Sequence, residues 1–432
     1  MPVLCKPAVA VPEHVITREQ TLALCADLHR DHPRLALALR LIANTGVEKR
    51  HLVLPIEQVL HHPGFDERND RYEEEAKLRV PPVIRQALDN AGVTAGDIDA
   101  LVYVSCTGFM MPSMTAWLIN NLGFRPDVTQ LPISQLGCAA GAAAVNRAHD
   151  FCAAHPGANV LVVACEFSSL CYQPTDLDVG NLLSNGLFGD GIAAAVLRGA
   201  GGHGIELRYQ ASYLLPNTEH WISFDIGARG PHFRLDLRVP GTMADLAPVI
   251  ARQARDHGWN ASDLDLYVIH AGGPRILDDL ARHLRVRPEA FWASRQTLSE
   301  YGNIASAVVF DVLRRAFEVG MVRDGTRCLM AGFGPGITAE LTLGTCVGED
   351  PPDPVPRAPR PLHAVAEPLR LPHQRRSGRT TAHDRMHAHG RVHARDRRHA
   401  RGHGAAHGRH AADDHGTCCD SDGHPRRLRR RR

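Results

Sequence analysis

"GLFGDGIAAAVLRG", residues 186–199, places a Gly/Phe turn ahead of an apolar run that meets no charge until Arg198. Such a run suits a strand buried on both faces. A second stretch, "GFGPGITAELTLG" at 332–344, repeats the unit: a glycine-framed phenylalanine, then a largely apolar strand. Its recurrence in both halves of the chain hints at an internal duplication. Further strand candidates are "DALVYVSC" (99–106), "NVLVVACEF" (159–167), "LDLYVIHAG" (264–272) and "TRCLMAGFG" (326–334). Helix-like stretches lie between them, as in "RYEEEAKLRVPPVIRQALDNAG" (71–92), which ends on a glycine after its last amphipathic turn. The alternation predicts an α/β protein with mixed sheets covered by helices.

With 432 residues the chain is long enough for two packed domains, and 44% apolar and 22% charged residues are ordinary for a soluble globular protein. Prolines and charges interrupt the N-terminal "MPVLCKPAVAVPEHVITREQ" before an export signal could form. No segment reaches the ~18 uninterrupted apolar residues of a membrane span. Eleven irregularly spaced cysteines read as free thiols in a reducing cytoplasm, not as a disulfide framework.

The net charge of +2 hides two opposite parts: from Glu349 onward there are 19 Arg, no Lys and 10 acidic residues, against 30 basic and 37 acidic before it. This terminal segment opens on the proline-rich "EDPPDPVPRAPRPL" and holds 12 of the 26 histidines after residue 360. It has too little apolar surface to offset its ordering entropy and reads as a disordered tail. A solvated appendage, a shifted reading frame in a GC-rich gene, and a metal- or polyanion-binding segment all fit its composition.

Three residues in the remainder have both a bland and a chemical reading. Cys138, in "SQLGCAAGAAAV" (134–145), stands where a helix begins. Peptide dipoles there would favour the thiolate, and small neighbours would let a carbonyl approach the sulfur. Equally, the cysteine could fill a close-packed helix start. His270 ends an apolar run and leads into "AGGP". It is either a satisfied core histidine or a partner for a thiolate or an oxyanion. Asn303, in "YGNIASAVV", is a helix cap or an amide donor to a developing enolate.

Taken together, "QLGCAAG", "VIHAGGP", "YGNIASA" and "GFGPGITAE" resemble the chalcone synthase superfamily, the type III polyketide synthases, along essentially all of residues 1–348. "CTGFMMPSMTAWLIN", "ACEFSSLCYQPTDL" and "HAGGPRILDDL" look more narrowly like the bacterial tetrahydroxynaphthalene-forming subgroup. The resemblance implies a duplicated thiolase fold of αβαβα layers working as a homodimer. Its halves would be residues 1–205 and 206–348, with the tail at 349–432.

The resemblance also implies roles. Cys138 would carry the starter and growing chain as a thioester, with His270 and Asn303 completing a triad. Phe188 and Phe233 match the gate between the coenzyme A tunnel and the cavity. Cys106, Thr107, Ser168, Cys171 and Ala305 match cavity-lining positions, several of which bear hydroxyls in the plant enzymes. Cys106 could serve cavity shape or be a second reactive thiol. Phe224 stands where the naphthalene-forming enzymes are expected to have tyrosine. Arg40 and Arg275 are the candidate coenzyme A contacts, with Asn44 at a position usually lysine. The implied activity is iterative decarboxylative condensation of malonyl-CoA to a pentaketide, cyclised to 1,3,6,8-tetrahydroxynaphthalene. The alternative is another acyl-CoA starter, giving pyrones or resorcinols. Neither activity requires a metal or a cofactor beyond the CoA thioesters, a nucleic acid, or a membrane.

Overall fold

The computed structural model describes residues 1–61 and 63–348, and these belong to one compact unit. The tail expected from residue 349 lies outside the described residues. Ten strands form one mixed sheet. Read across, nine of them run Leu266–Ile269, Arg327–Gly334, Gly336–Val347, Gly204–Thr218, Val3–Cys5, Asp190–Arg198, Asn159–Phe167, Ala100–Val104 and Thr129–Ile133. The tenth, Ala8–Ala10, pairs with Asp190–Arg198.

The duplication is visible in the pairing. In the first half Ala100–Val104 runs parallel to Asn159–Phe167, which pairs antiparallel with Asp190–Arg198. In the second, Leu266–Ile269 runs parallel to Arg327–Gly334, which pairs antiparallel with Gly336–Val347. The two rhyming stretches thus supply the equivalent third strand of each half.

Helices Ala140–Ala154 and Val308–Glu318 each pack on strands from both halves. Val308–Glu318 is buried almost all round and Ala140–Ala154 through its first seven residues, as the apolar "VVFDVL" and the all-small "AGAAAV" allow. They form the central helical layer, with a sheet half on either side. Phe65–Ala91 and Met114–Asn121 cover the outer face of the first half around Tyr72, Ile84 and Leu118. Met243–Asp256 and Pro274–Leu284 close the second-half side through Leu246, Ile250, Leu277 and Leu280. This is the α/β arrangement of layered helices and mixed sheet that the sequence suggests. Among the described residues no helix is long and apolar enough to cross a membrane.

One buried ion cluster braces the second half. Asp311, fully buried, accepts from Thr297 Oγ1 at 2.6 Å, Arg314 Nη2 at 2.6 Å and Arg315 Nε at 2.8 Å. It joins Trp292–Tyr301 to Val308–Glu318, and the segment between those helices carries Asn303. Asp311→Ala would strand the half-buried Arg314 and the buried Arg315 beside it. The expected loss is about 3–5 kcal/mol of stability, read as a lowered urea midpoint. An unchanged midpoint would show that Glu300, 2.9 Å from Arg315 Nη2, and Glu318, 2.6 Å from Arg314 Nη1, already satisfy the two arginines.

Candidate active site

Strand Thr129–Ile133 delivers the chain to a short 3-10 turn, Gly137–Ala139, before helix Ala140–Ala154 begins. Cys138 therefore sits in the lead-in to the helix, at the wall of a cavity of about 1090 Å³. Gly137 lines that cavity beside the sulfur, and the glycines on either side of Cys138 also allow close packing. Gly137 has φ +48°, and a Cβ there would come within 2.8 Å of the Pro335 ring. A Cβ on Gly141 would lie 2.0 Å from the Ser306 carbonyl oxygen. The cysteine turn is gripped between the "GFGPG" loop and the turn that follows Asn303.

His270 continues strand Leu266–Ile269, its N–H donating to the Ala331 carbonyl at 2.9 Å. Asn303 is bridged by its main chain to the Phe188 segment: its N–H donates to Leu187 O at 2.8 Å, and its carbonyl accepts from Gly189 at 3.2 Å. The Ala305 N–H donates to Asn303 Oδ1 at 3.0 Å, which fixes the amide's orientation. The Nδ2 group then donates to Cys138 Sγ at 3.8 Å. Oδ1 also faces His270 Nε2 at 3.3 Å, so that nitrogen carries the proton in this network. Nδ1 is left buried with no hydrogen-bond partner. Ala305 has φ +48°, a strained conformation that a bulkier side chain would worsen.

Burial dominates the electrostatics. It pushes the Cys138 thiol up to about 12, helped by the Glu166 charge and opposed by the Asn303 and backbone hydrogen bonds. It also lowers the His270 imidazole to about 4. Burial therefore favours the neutral form of both groups.

Glu166 was not singled out from the sequence. It is fully buried on strand Asn159–Phe167, where its Oε2 accepts from the Cys106 N–H and Thr107 Oγ1, each at 3.0 Å. Oε1 accepts from Ser306 Oγ at 2.5 Å. The only charge within the nine-residue run "NVLVVACEF" was the available signal. Burial and Glu166 push the Cys106 thiol well above its usual range. That environment suits a residue of cavity shape, not a second thiolate.

Thr107, Ser168, Cys171, Phe224 and Ala305 all line the same cavity. The Phe188 and Phe233 rings meet edge-on at 5.2 Å, and Phe224 packs against Phe233 at 5.9 Å. Arg275 stands on the wall with its side chain 73% exposed. Arg40 lies on the exposed face of helix Leu35–Ala43 and is not part of the wall, whereas Asn44 is. Another unforeseen cavity residue is the buried Arg50, which donates to the Phe188 carbonyl at 3.0 Å. Among the described residues no group of three His, Cys, Asp or Glu side chains could hold a metal ion.

Two family models divide the chain between them: chalcone and stilbene synthases, N-terminal domain, over residues 7–202, and the C-terminal domain over residues 206–347. The chain belongs to the chalcone and stilbene synthase family. It is a type III polyketide synthase and an acyltransferase. It is 66% identical over 344 residues to a 1,3,6,8-tetrahydroxynaphthalene synthase of Streptomyces coelicolor, covering 80% of this chain and 92% of the relative. It is 48% identical over 348 residues to a phloroglucinol synthase of Pseudomonas fluorescens, covering 80% and 99%. The crystal structure of the Streptomyces coelicolor tetrahydroxynaphthalene synthase, a bacterial type III polyketide synthase, superposes with a TM-score of 0.79 at 65% identity. That match covers 80% of this chain and all of the other.

The thiol's raised pKa has a measurable consequence. Iodoacetamide labelling of Cys138 in the free synthase, followed by peptide mass spectrometry, should keep rising with pH beyond 9. A plateau below pH 7 would mean that a thiolate–imidazolium pair already exists at rest.

Proposed function

We propose that this synthase loads malonyl units onto Cys138, extends them with malonyl-CoA to a pentaketide, and releases 1,3,6,8-tetrahydroxynaphthalene after cyclisation. The observation that carries the reading is the meeting of Cys138, Asn303 and His270 in one cavity, in a chain so similar to a tetrahydroxynaphthalene synthase.

The chemistry follows from the neutral pair. Loading uses the other imidazole tautomer: with the ring proton on Nδ1, His270 Nε2 accepts the Cys138 proton as the sulfur attacks the thioester carbonyl, then returns it to CoA, which leaves as its thiol. The next malonyl-CoA loses CO₂, and the electron pair of the broken C–C bond becomes an enolate on the thioester oxygen. Asn303 Nδ2 and the His270 N–H are the donors for that oxygen. The apolar Phe188–Phe233 pair denies the departing carboxylate its hydration, which favours its loss. The enolate carbon then attacks the Cys138 thioester carbonyl, the C–S bond to Cys138 breaks, and the chain, two carbons longer and now on CoA, is taken up again by the freed Cys138 sulfur for the next round. No cofactor beyond the CoA thioester enters this reading, and Arg275 at the wall is its basic group for the CoA phosphates. The synthase would act as a homodimer; the sheet ends at Thr129–Ile133, which offers an edge for pairing.

Purified protein given malonyl-CoA alone should yield tetrahydroxynaphthalene or its oxidation product flaviolin, identified by mass. An aromatic product appearing only when a second acyl-CoA is added would overturn the starter choice. Cys138→Ala should lower product formation by more than about 10³-fold while leaving the circular dichroism spectrum intact. Asn303→Ala should cost about 10²–10³-fold, the worth of one oxyanion donor.

A further inference from the structure

The gate hairpin consists of strands Ile222–Gly227 and Gly230–Leu235, and its second strand has two different faces. Pro231, Phe233 and Leu235 line the cavity. The alternating residues His232 and Arg234 both reach one oxygen of Asp176. His232 Nδ1 lies 2.8 Å and Arg234 Nη1 2.7 Å from Asp176 Oδ2. Phe233 is therefore flanked along the strand by two side chains fastened to one carboxylate.

Asp176 is itself rigidly held. Its side chain is 9% exposed, its Oδ1 accepts from the Asp178 N–H at 3.0 Å, and its carbonyl accepts from Asn181 Nδ2 at 2.9 Å. Burial works against its charge, but Arg234, the Asp178 N–H and His232 together hold the carboxyl below its usual range. Gln173, from the same segment, donates to the carbonyls of Arg229 at 2.9 Å and Pro231 at 3.1 Å near the hairpin tip. Asp178 then caps helix Val179–Leu187, whose C-terminal cap is Phe188. One continuous segment thus anchors the back of the Phe233 strand and carries the opposing gate ring.

We infer that Asp176 is a positioning residue for the aromatic gate, setting the approach of Phe233 to Phe188 and thereby the fit of the malonyl thioester between them. The inference rests on the malonyl-CoA reading above. Asp176 touches no reacting atom; it acts through Phe233.

A double-mutant cycle on the full chain tests this, reading kcat/KM for malonyl-CoA. Asp176→Ala should lower it by roughly tenfold, the scale of a small misplacement near the reaction. In a Phe233→Ala background the same change should add less than about a twofold effect, because the ring it positions is gone. Multiplying effects, or wild-type kinetics in Asp176→Ala, would overturn the assignment. If Asp176→Ala does not fold, Asp176→Asn and Arg234→Met enter the same cycle.

Hydrogen exchange without substrate provides the readout independent of activity. Asp176→Asn should speed exchange at Phe224 and Phe233 while leaving helix Ala140–Ala154 unchanged. Uniform change across both would mean general destabilisation and would sink the gate role. A wild-type protein inert toward malonyl-CoA would instead refute the substrate reading, with the exchange result still deciding the anchor.

Discussion

The carboxamide of Asn303 is the point on which the site depends. An amide can turn either end toward a neighbour, and a donor aimed at sulfur is useful only if that choice is fixed. The Ala305 N–H fixes it by occupying Oδ1, and His270 approaches the same oxygen. The turn that supplies this N–H is strained at Ala305, a cost of order 1–3 kcal/mol. Close packing of Gly141 against Ser306 and the Ser306–Glu166 hydrogen bond offset it. Asn303 is also bridged through its main chain to the Phe188 segment. The duplicated fold is therefore functional in a specific sense: the first half brings the sulfur and one gate ring, and the second brings the imidazole and the amide between them.

Burial sets the resting state and strengthens the reaction at the same time. It keeps the thiol protonated and the imidazole neutral, so the resting sulfur is a poor nucleophile toward solvent-borne electrophiles. The same exclusion of water strengthens any hydrogen bond to a developing enolate. Charge is created only when a thioester is present to receive it. A preformed ion pair would have to hold both charges in this buried site between turnovers, whereas a neutral pair carries no such cost.

Much of this was legible in the chain, for identifiable reasons. Unbroken apolar runs gave the buried strands, and the repeated Gly/Phe turn gave the duplication, because both signals are local. The order of the sheet was not legible: Val3–Cys5 joins the two halves by pairing with Asp190–Arg198 and with Gly204–Thr218, contacts that no local pattern announces. Cys138, His270 and Asn303 became readable only as a set. The glycines beside Cys138 also accommodate loops that their own stretch does not announce, since Pro335 and Ser306 lie far along the sequence. Arg40 faces solvent outside the cavity wall, and helix phase explains why. Ala38 and Ile42 take the buried side of that helix, which turns Arg40 to solvent and leaves Asn44 at the cavity wall. Glu166 was missed although a lone carboxylate in an apolar strand has to find donors once buried.

Glu166 also explains how one thiol is selected among several. Cys25, Cys106, Cys138 and Cys171 line the same cavity, and burial raises the pKa of all four. Their sulfurs meet different neighbours. Cys106 faces the Glu166 carboxylate at 3.6 Å, and Cys171 faces the Thr107 carbonyl at 3.5 Å. Both contacts are acceptors, which stabilise S–H and repel a thiolate. Cys138 Sγ also lies 4.0 Å from Asn303 Oδ1, but among these cysteines it alone has a side-chain N–H directed at its sulfur, and that donor stabilises negative charge. Electrophile and proton acceptor are therefore productive at only one position. The nucleophile is chosen less by its own pKa than by being the one cavity cysteine whose neighbour donates.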